Sequence, residues 1–487
     1  MTRTSISHPL QIAAVDTLTG HGRIGITFCP GKVQASAATG AWNRDLLTDV
    51  KAIADWGAAA VLTLVEDHEL VSLEVEGLGA TVAGARMDWL HAPIPDVSVP
   101  DAGFEAAWVE TGEGLRDRLR AGFDILVHCK GGLGRAGMIA ARLLVELGID
   151  AETAITRVRQ ARPGAIETSA QEAVVRRTQM VPERQPGTAA DDIRDRARGA
   201  LFGLAVGDAL GTTLEFKARD TYEPLTDLVG GGPFRLKPGQ WTDDTAMALA
   251  LADSLAAKGG LDEQDLLARF HDWWQNGTYS CTGRCFDIGV TTAQALSRWK
   301  ATGKDHCGSI DPQTAGNGSL MRLGPVAIRF RDDRSALRDA AARQSKTTHA
   351  AVEAVDACVL YAEMMADAIN GAPRSEVLKG RPGAWASKID TINQGSWRGL
   401  GRTSVNASGY VAHSLEAALW ATGRTARFDQ AVLLAANLGQ DADTTAAIVG
   451  QLAGALAGAS GITADWLAKL AWRDRITAAV DALLRLR

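Results

Sequence analysis

Up to about residue 180, short runs of consecutive apolar residues alternate with longer stretches in which apolar positions recur every three or four residues. "AAVLTLV" (59–65) and "DILVHC" (124–129) predict buried strands. "NRDLLTDVKAIADW" and "GMIAARLLVEL" predict amphipathic helices. Strands alternating with helices predict an α/β domain, with a central, mostly parallel sheet flanked by helices. Residues 181–192, "VPERQPGTAADD", combine two prolines, a glycine and mixed charge, and predict a linker. Beyond it the pattern changes. "DIRDRARGALFGLAVGDALG", "DTAMALALADSLAAKG", "AAVEAVDACVLYAEMMADAI" and "VAHSLEAALWAT" are Ala-rich helical patterns joined by Gly/Asp/Thr loops. The expected architecture is therefore two domains: α/β over 1–180, a linker over 181–192, and an all-α domain over 193–487.

Composition adds bounds to this picture. A length of 487 residues, 46% hydrophobic and 22% charged, suits more than one globular core. The net charge of −6 argues against a broad nucleic-acid-binding surface, although a nucleic-acid adduct as substrate is not excluded. The six cysteines form no disulfide framework, and Cys281 and Cys285 have no second ligand pair that would suggest zinc. "MTRTSISHPLQIAAVD" has no apolar h-region, so no export signal is expected, and "TTAAIVGQLAGALAGASGI", broken by Gln451, reads as a buried helix. The expectation is a cytoplasmic protein with no membrane partner.

Candidate chemistry begins at "HCKGGLGRAG". Cys129 and Arg135 bracket five residues, of which Gly131, Gly132 and Gly134 are glycine. Such a run allows successive backbone N–H groups to face inward as an anion nest, and the following helix adds its positive end. This setting favours the thiolate of Cys129, while Arg135 offers a planar fork to phosphate oxygens. Nucleophile, nest and cation at this spacing predict phosphomonoester hydrolysis through a cysteinyl-phosphate. The rival is a buried strand cysteine beside a nucleotide-binding loop.

"HCKGGLGRAG" resembles the H-C-x5-R signature of the cysteine-dependent tyrosine and dual-specificity phosphatases. "GITFCPGK" and "HAPIPDVSVPD" are similar to the branch that dephosphorylates cyclin-dependent kinases. The resemblance implies Cys129 as nucleophile and Arg135 as phosphate ligand, with His128 orienting the loop and depressing the thiol pKa, and no cofactor required. It implies a general acid in "PIPDVSVPD", where Asp96 matches best and Asp101 is the fallback; either could instead cap a helix. Ala136 stands where the family usually has a hydroxyl residue, which implies slow hydrolysis of the phospho-enzyme. Phosphorylated proteins or small phosphate esters are the implied substrates.

The all-α region carries two acidic clusters. "QWTDDTAM" places Thr242, Asp243 and Asp244 before one helix, and "LGQDADTTAA" places Asp441, Asp443 and Thr444 before another. These hard oxygen donors suit Mg²⁺, Mn²⁺ or Ca²⁺, and two converging clusters could hold a metal pair. Plain N-capping is the competing explanation for each cluster alone.

"GALFGLAVGDALGTTLEF", "WTDDTAMA", "YSCTGRCFDIGVTT", "AGNGSLMR", "SKTTH" and "NLGQDADTTAAIVGQLAGA" resemble, in order, the motifs of the ADP-ribosylglycohydrolases. The resemblance implies an all-α fold with two Mg²⁺ or Mn²⁺ ions held by Thr242, Asp243, Asp244, Asp441, Asp443 and Thr444. It implies Glu215 as a catalytic or ligand carboxylate, Asp287 beside the site, and Asn317, Gly318, Ser319 and His349 on the substrate. A bifunctional hydrolase is the expectation, acting on an ADP-ribosylated protein or small molecule. The alternative is a phosphatase fused to a non-catalytic ADP-ribose-binding module.

Overall fold

A computed structural model of the chain describes residues 2–37 and 40–485. Two compact units emerge. The first holds the chain through Arg184 with Arg398–Gly401 and Gly423–Ala426, and the second holds Gln185–Trp397, Arg402–Thr422 and the chain from Arg427 onward.

The first unit contains strands β1 (Ala13–Val15), β2 (Ile24–Phe28), β3 (Val33–Gln34), β4 (Trp42–Asn43), β5 (Ala60–Thr63), β6 (Asp88–His91) and β7 (Ile125–Cys129). Five of them form one sheet in the order β1-β2-β7-β5-β6, while β3 and β4 pair separately. The sheet is mixed: β1 runs antiparallel to β2, and the remaining pairings are parallel. The central strand β7 is wholly buried. Its Ile125 and Val127 join the core on one face and Leu126 the core on the other, the two-residue alternation of a strand covered on both sides. Each such side chain, fully buried, contributes about 1.5–3 kcal/mol. The helix Leu46–Trp56 shows how local chemistry sets the ends: the Asp45 side chain accepts from Thr48 N, and Gly57 closes it at φ 103°. Cys129 ends β7, opposite Phe28 of β2, so the phosphate motif leaves the sheet at the carboxyl ends of its parallel strands.

The second unit is helical around a pair of nearly bare helices. Ala190–Gly211 and Ala442–Ala457 pack along a seam of small residues. A Cβ on Gly203 would lie 2.1 Å from the Gly450 carbonyl oxygen, and one on Gly207 would lie 2.1 Å from that of Ala446. Glycine every fourth position therefore lets the backbones touch. That contact brings Asp208 and Glu215, at and beyond the end of one helix, to the start of the other, where Asp441 and Asp443 sit. Trp273 of "HDWWQNG" is core, 1% exposed. Among the described residues, no helix is long and apolar enough to cross a membrane.

Candidate active sites

In the first unit the loop after Cys129 folds as a nest. Gly132 N–H donates to Cys129 Sγ at 3.3 Å. Gly132 has φ 69°, and a Cβ there would lie 2.5 Å from the Thr27 carbonyl, so only glycine fits. A Cβ on Gly134 would meet Glu167 Oε2 at 2.4 Å, the far end of a side chain that can swing aside, and Gly131 faces open space, so crowding demands glycine at neither position. The helix Gly134–Glu146 begins with no side-chain cap, leaving its first N–H groups available to an anion. Two cations that the motif does not contain hold the loop carbonyls: Lys32 Nζ donates to Lys130 O at 3.1 Å, and Arg162 Nε donates to Gly132 O at 3.1 Å.

Arg135 is buried. Its Nη1 donates to Glu69 Oε2 at 2.6 Å and to Ile94 O at 2.8 Å, and its Nη2 donates to Glu69 Oε1 at 3.0 Å. Asp96 Oδ1 is 2.8 Å from Nη2, which places that carboxylate beside the nest. Asp101 instead caps the helix Ala102–Arg120, accepting from Phe104 N at 2.8 Å. Glu69, remote in sequence, carries no signature and was not singled out by the motif. Burial raises its pKa, but the Arg135 bonds outweigh this and hold it below the usual range. His128 Nε2 lies 2.7 Å from Thr63 Oγ1, itself bonded by Trp89 Nε1 at 2.8 Å. Burial pushes His128 down to about 3, so the ring is neutral and has no charge to offer Cys129 Sγ.

In the second unit the two acidic clusters interleave. Thr242 Oγ1 lies 3.2 Å from Asp244 Oδ2 and 3.5 Å from Asp443 Oδ2, and Thr444 Oγ1 lies 3.5 Å from Asp244 Oδ2. Capping does not explain them: neither Thr242 nor Asp441, the two cap residues, caps its helix with its side chain. Oxygens of Asp208, Asp244 and Asp443 lie within 4.8 Å of one another, as do those of Glu215, Asp441 and Asp443. Burial and mutual repulsion raise the pKa values of Asp243, Asp244 and Asp443 well above the carboxylate range. Asp244 Oδ1 is buried with no hydrogen-bond partner among the described residues. An orphaned carboxylate oxygen among crowded acids is the donor set a hard divalent cation satisfies.

Asp208, not singled out from the sequence, is already saturated. Its Oδ1 accepts from Thr242 N and Oγ1, both at 2.8 Å, and its Oδ2 accepts from Thr245 N and Oγ1 at 3.0 and 2.6 Å. It clamps the 242–245 turn. Glu215 Oε2 accepts from Ala442 N at 2.7 Å and Asp443 N at 3.2 Å, and burial next to other acids pushes it up to about 7.

A cavity of about 750 Å³ opens over this cluster. Glu215, Asp243, Asp287, Asp441, Asp443 and Thr444 face it, while Thr242 and Asp244 lie behind. Asp287 has a left-handed backbone at φ 59° and is pushed up to about 6 by burial and its acidic neighbours. Asn317, Gly318 and His349 also line the cavity, and Asn317 Nδ2 donates to Asp441 Oδ2 at 2.6 Å. Ser319 does not: its hydroxyl is buried, 2.8 Å from Ser345 Oγ. Cys281 and Cys285 are unpaired, and neither belongs to a metal-ligating group among the described residues.

A family model described as ADP-ribosylglycohydrolase matches residues 189–487, more than half of the chain. The chain belongs to the ADP-ribosylglycohydrolase family. A second model, the DSP-PTPase phosphatase domain of Swiss Army Knife proteins, matches residues 41–175. The ADP-ribosylglycohydrolase part is 48% identical over 282 residues to the ADP-ribosylarginine hydrolase Tri1 of Pseudomonas putida, covering 58% of this chain and 76% of that one. It is 34% identical over 300 residues to the ADP-ribosyl-[dinitrogen reductase] glycohydrolase of Rhodospirillum rubrum, covering 60% and 97%. A solved ADP-ribosylglycohydrolase-related protein complex aligns with TM-score 0.54 at 37% identity, over 60% of this chain and 98% of that one. Phosphatase and ADP-ribosylglycohydrolase domains thus share one chain, a bifunctional hydrolase.

Proposed function

We propose that the second unit releases ADP-ribose from an arginine side chain of a modified protein, and that the first removes phosphate from a phosphoester. The observation that carries the first half is the interleaving of the two acidic clusters beneath a cavity lined by Asn317, Gly318 and His349. The arginine linkage is supported by the Pseudomonas putida relative, whose name specifies it. Thr242, Asp243, Asp244, Asp441, Asp443 and Thr444 would hold two Mg²⁺ or Mn²⁺ ions, which when bound orient and activate the attacking water. Asn317 and Gly318 hold the ligand against Asp441. Glu215, tethered through Oε2 to the Ala442 and Asp443 N–H groups, and Asp287 are carboxyls able to exchange a proton at the cavity near neutral pH.

In the first unit, Cys129 Sγ attacks phosphorus, the leaving oxygen departs with a proton from Asp96, and Arg135 and the nest hold the phosphoryl oxygens. Water then attacks phosphorus, the S–P bond breaks and Asp96 recovers its proton. A cytoplasmic location completes the proposal, supported by six unpaired cysteines.

The test is a panel of ADP-ribosyl-arginine, ADP-ribosyl-serine and ADP-ribosylated nucleic acid incubated with Mg²⁺ or Mn²⁺ and the full chain. Release from the arginine conjugate alone is expected. Release from the serine or nucleic-acid conjugate in its place would overturn the linkage.

A further inference from the structure

"AGNGSLMR" and "SKTTH" each contribute a residue that the proposed reaction leaves without a task. Arg322 ends the first, and Thr348 precedes the cavity histidine in the second. Arg322 is 0% exposed, and among the described residues it forms no ion pair. Its guanidinium lies 4.6 Å from the Phe270 ring centre and donates only to neutral acceptors, Nη1 to Met247 Sδ at 3.9 Å and the other nitrogens to oxygens. Nε donates to Gln344 Oε1 at 3.1 Å. Nη2 donates to Gln344 O at 3.0 Å, Thr347 Oγ1 at 3.2 Å and Thr348 Oγ1 at 2.9 Å. A buried guanidinium without a carboxylate carries a desolvation cost that neutral acceptors only partly offset.

Thr348 Oγ1 also lies 2.9 Å from His349 Nδ1. The hydroxyl oxygen accepts from a permanent cation, so its own proton must go elsewhere, and His349 Nδ1 is the acceptor within reach. If Nδ1 carried a proton instead, the oxygen would receive two donors and the hydroxyl proton would be left buried without a partner. The cation beside the oxygen also makes that O–H a stronger donor. Burial and the nearby Arg322 cation hold the His349 ring neutral, so Nδ1 is the acceptor and the single ring proton sits on Nε2. Nε2 turns to the glycine loop: a Cβ on Gly316 would lie 3.3 Å from it, and one on Gly318 3.1 Å. Both glycines and His349 line the cavity.

We propose that Arg322, acting through the Thr348 hydroxyl, is a positioning residue that locks His349 in the Nε2–H form and so presents one fixed donor to an acceptor oxygen of the bound diphosphate-ribose. This rests on the reading that the cavity takes ADP-ribose. The consequence is selectivity by polarity, since a locked N–H rewards an oxygen acceptor and rejects a ligand donor at that point.

The test uses the full chain with ¹⁵N-labelled histidine and ADP-ribose as the probe. Imidazole ¹⁵N shifts, assigned by loss of the signals in His349→Asn, report the tautomer of His349 without any ligand. The wild type is expected to show Nε2–H. Thr348→Val should shift His349 toward a tautomer mixture and weaken ADP-ribose about tenfold, the size of one neutral hydrogen bond. Thr348→Ser, which restores the hydroxyl, should recover both. Arg322→Lys should give an intermediate tautomer population. An unchanged tautomer in Thr348→Val, with folding verified by an unaltered circular dichroism spectrum, would overturn the relay. So would an Nδ1–H signal in the wild type. Failure of the wild type to bind ADP-ribose would instead overturn the reading of the cavity, leaving the tautomer result to stand by itself.

Discussion

Arg135 and Glu69, 66 residues apart, form a two-point ion pair at 2.6 and 3.0 Å inside the first unit. This pair fixes the plane of the guanidinium proposed to meet the phosphate. Glu69→Gln keeps shape and one acceptor but loses the charge. Its kcat/KM for a phosphate ester should fall about tenfold to a hundredfold, the cost of a misplaced binding group. Release of ADP-ribose by the same preparation should be unchanged, which serves as the folding control.

Ala136 is fully buried at the third position of the helix Gly134–Glu146 and offers no hydroxyl to assist departure of the Cys129 thiolate. Pre-steady-state kinetics should show a phospho-enzyme burst in the wild type. Ala136→Ser should reduce the burst amplitude and raise the steady rate. A wild type without a burst would contradict this account of the substitution.

The glycine seam of the second unit makes a steric prediction. Gly207→Ala would place a methyl 2.1 Å from the Ala446 carbonyl oxygen, so the helices must separate. A loss of about 1–3 kcal/mol is expected by chemical denaturation, together with a drop in metal affinity as Asp208 and Asp443 move apart. Gly260→Ala, which meets nothing within 4 Å, should be near neutral in the same measurement.

The crowded acids predict a pH dependence that a metal removes. Burial lifts Glu215 to about 7, so in chelator its contribution is fully present below its unfolded value of about 4.3 and is lost as pH rises through about 7. Asp287, lifted to about 6, acts in the same direction. The melting temperature of the second unit in chelator should therefore fall between pH 5 and 8. Added Mg²⁺ should raise it most at the upper end of that range. A Mg²⁺ effect that shrinks as pH rises would contradict the assignment of these carboxylates.

Much of both sites was legible because the chemistry clusters in sequence. The strand-nest-helix run around Cys129 and the two acidic turns each occupy fewer than a dozen residues and read directly as an anion nest and as hard-oxygen donors. Glu69 and Asp208 were not legible, since each acts through partners far along the chain, Arg135 in one case and Thr242 and Thr245 in the other. The antiparallel β1 was also hidden: a three-residue edge strand carries too little periodicity to reveal direction. Ser319 lay within a motif, yet its side chain turns inward to Ser345, because sequence adjacency does not fix which way a loop residue points. The neutrality of His128 was not legible either, since burial depth is a property of the assembled sheet.

One chain carrying two hydrolytic centres should lose its two activities one at a time. The most direct measurement follows phosphate release from a phosphoester and ADP-ribose release from ADP-ribosyl-arginine, in Mg²⁺, for this chain as wild type, Cys129→Ser and Asp244→Asn. Cys129→Ser should abolish only phosphate release, and Asp244→Asn only ADP-ribose release. Tight ADP-ribose binding by the wild type without turnover, and without need of a divalent cation, would contradict it and make the second unit a binding module.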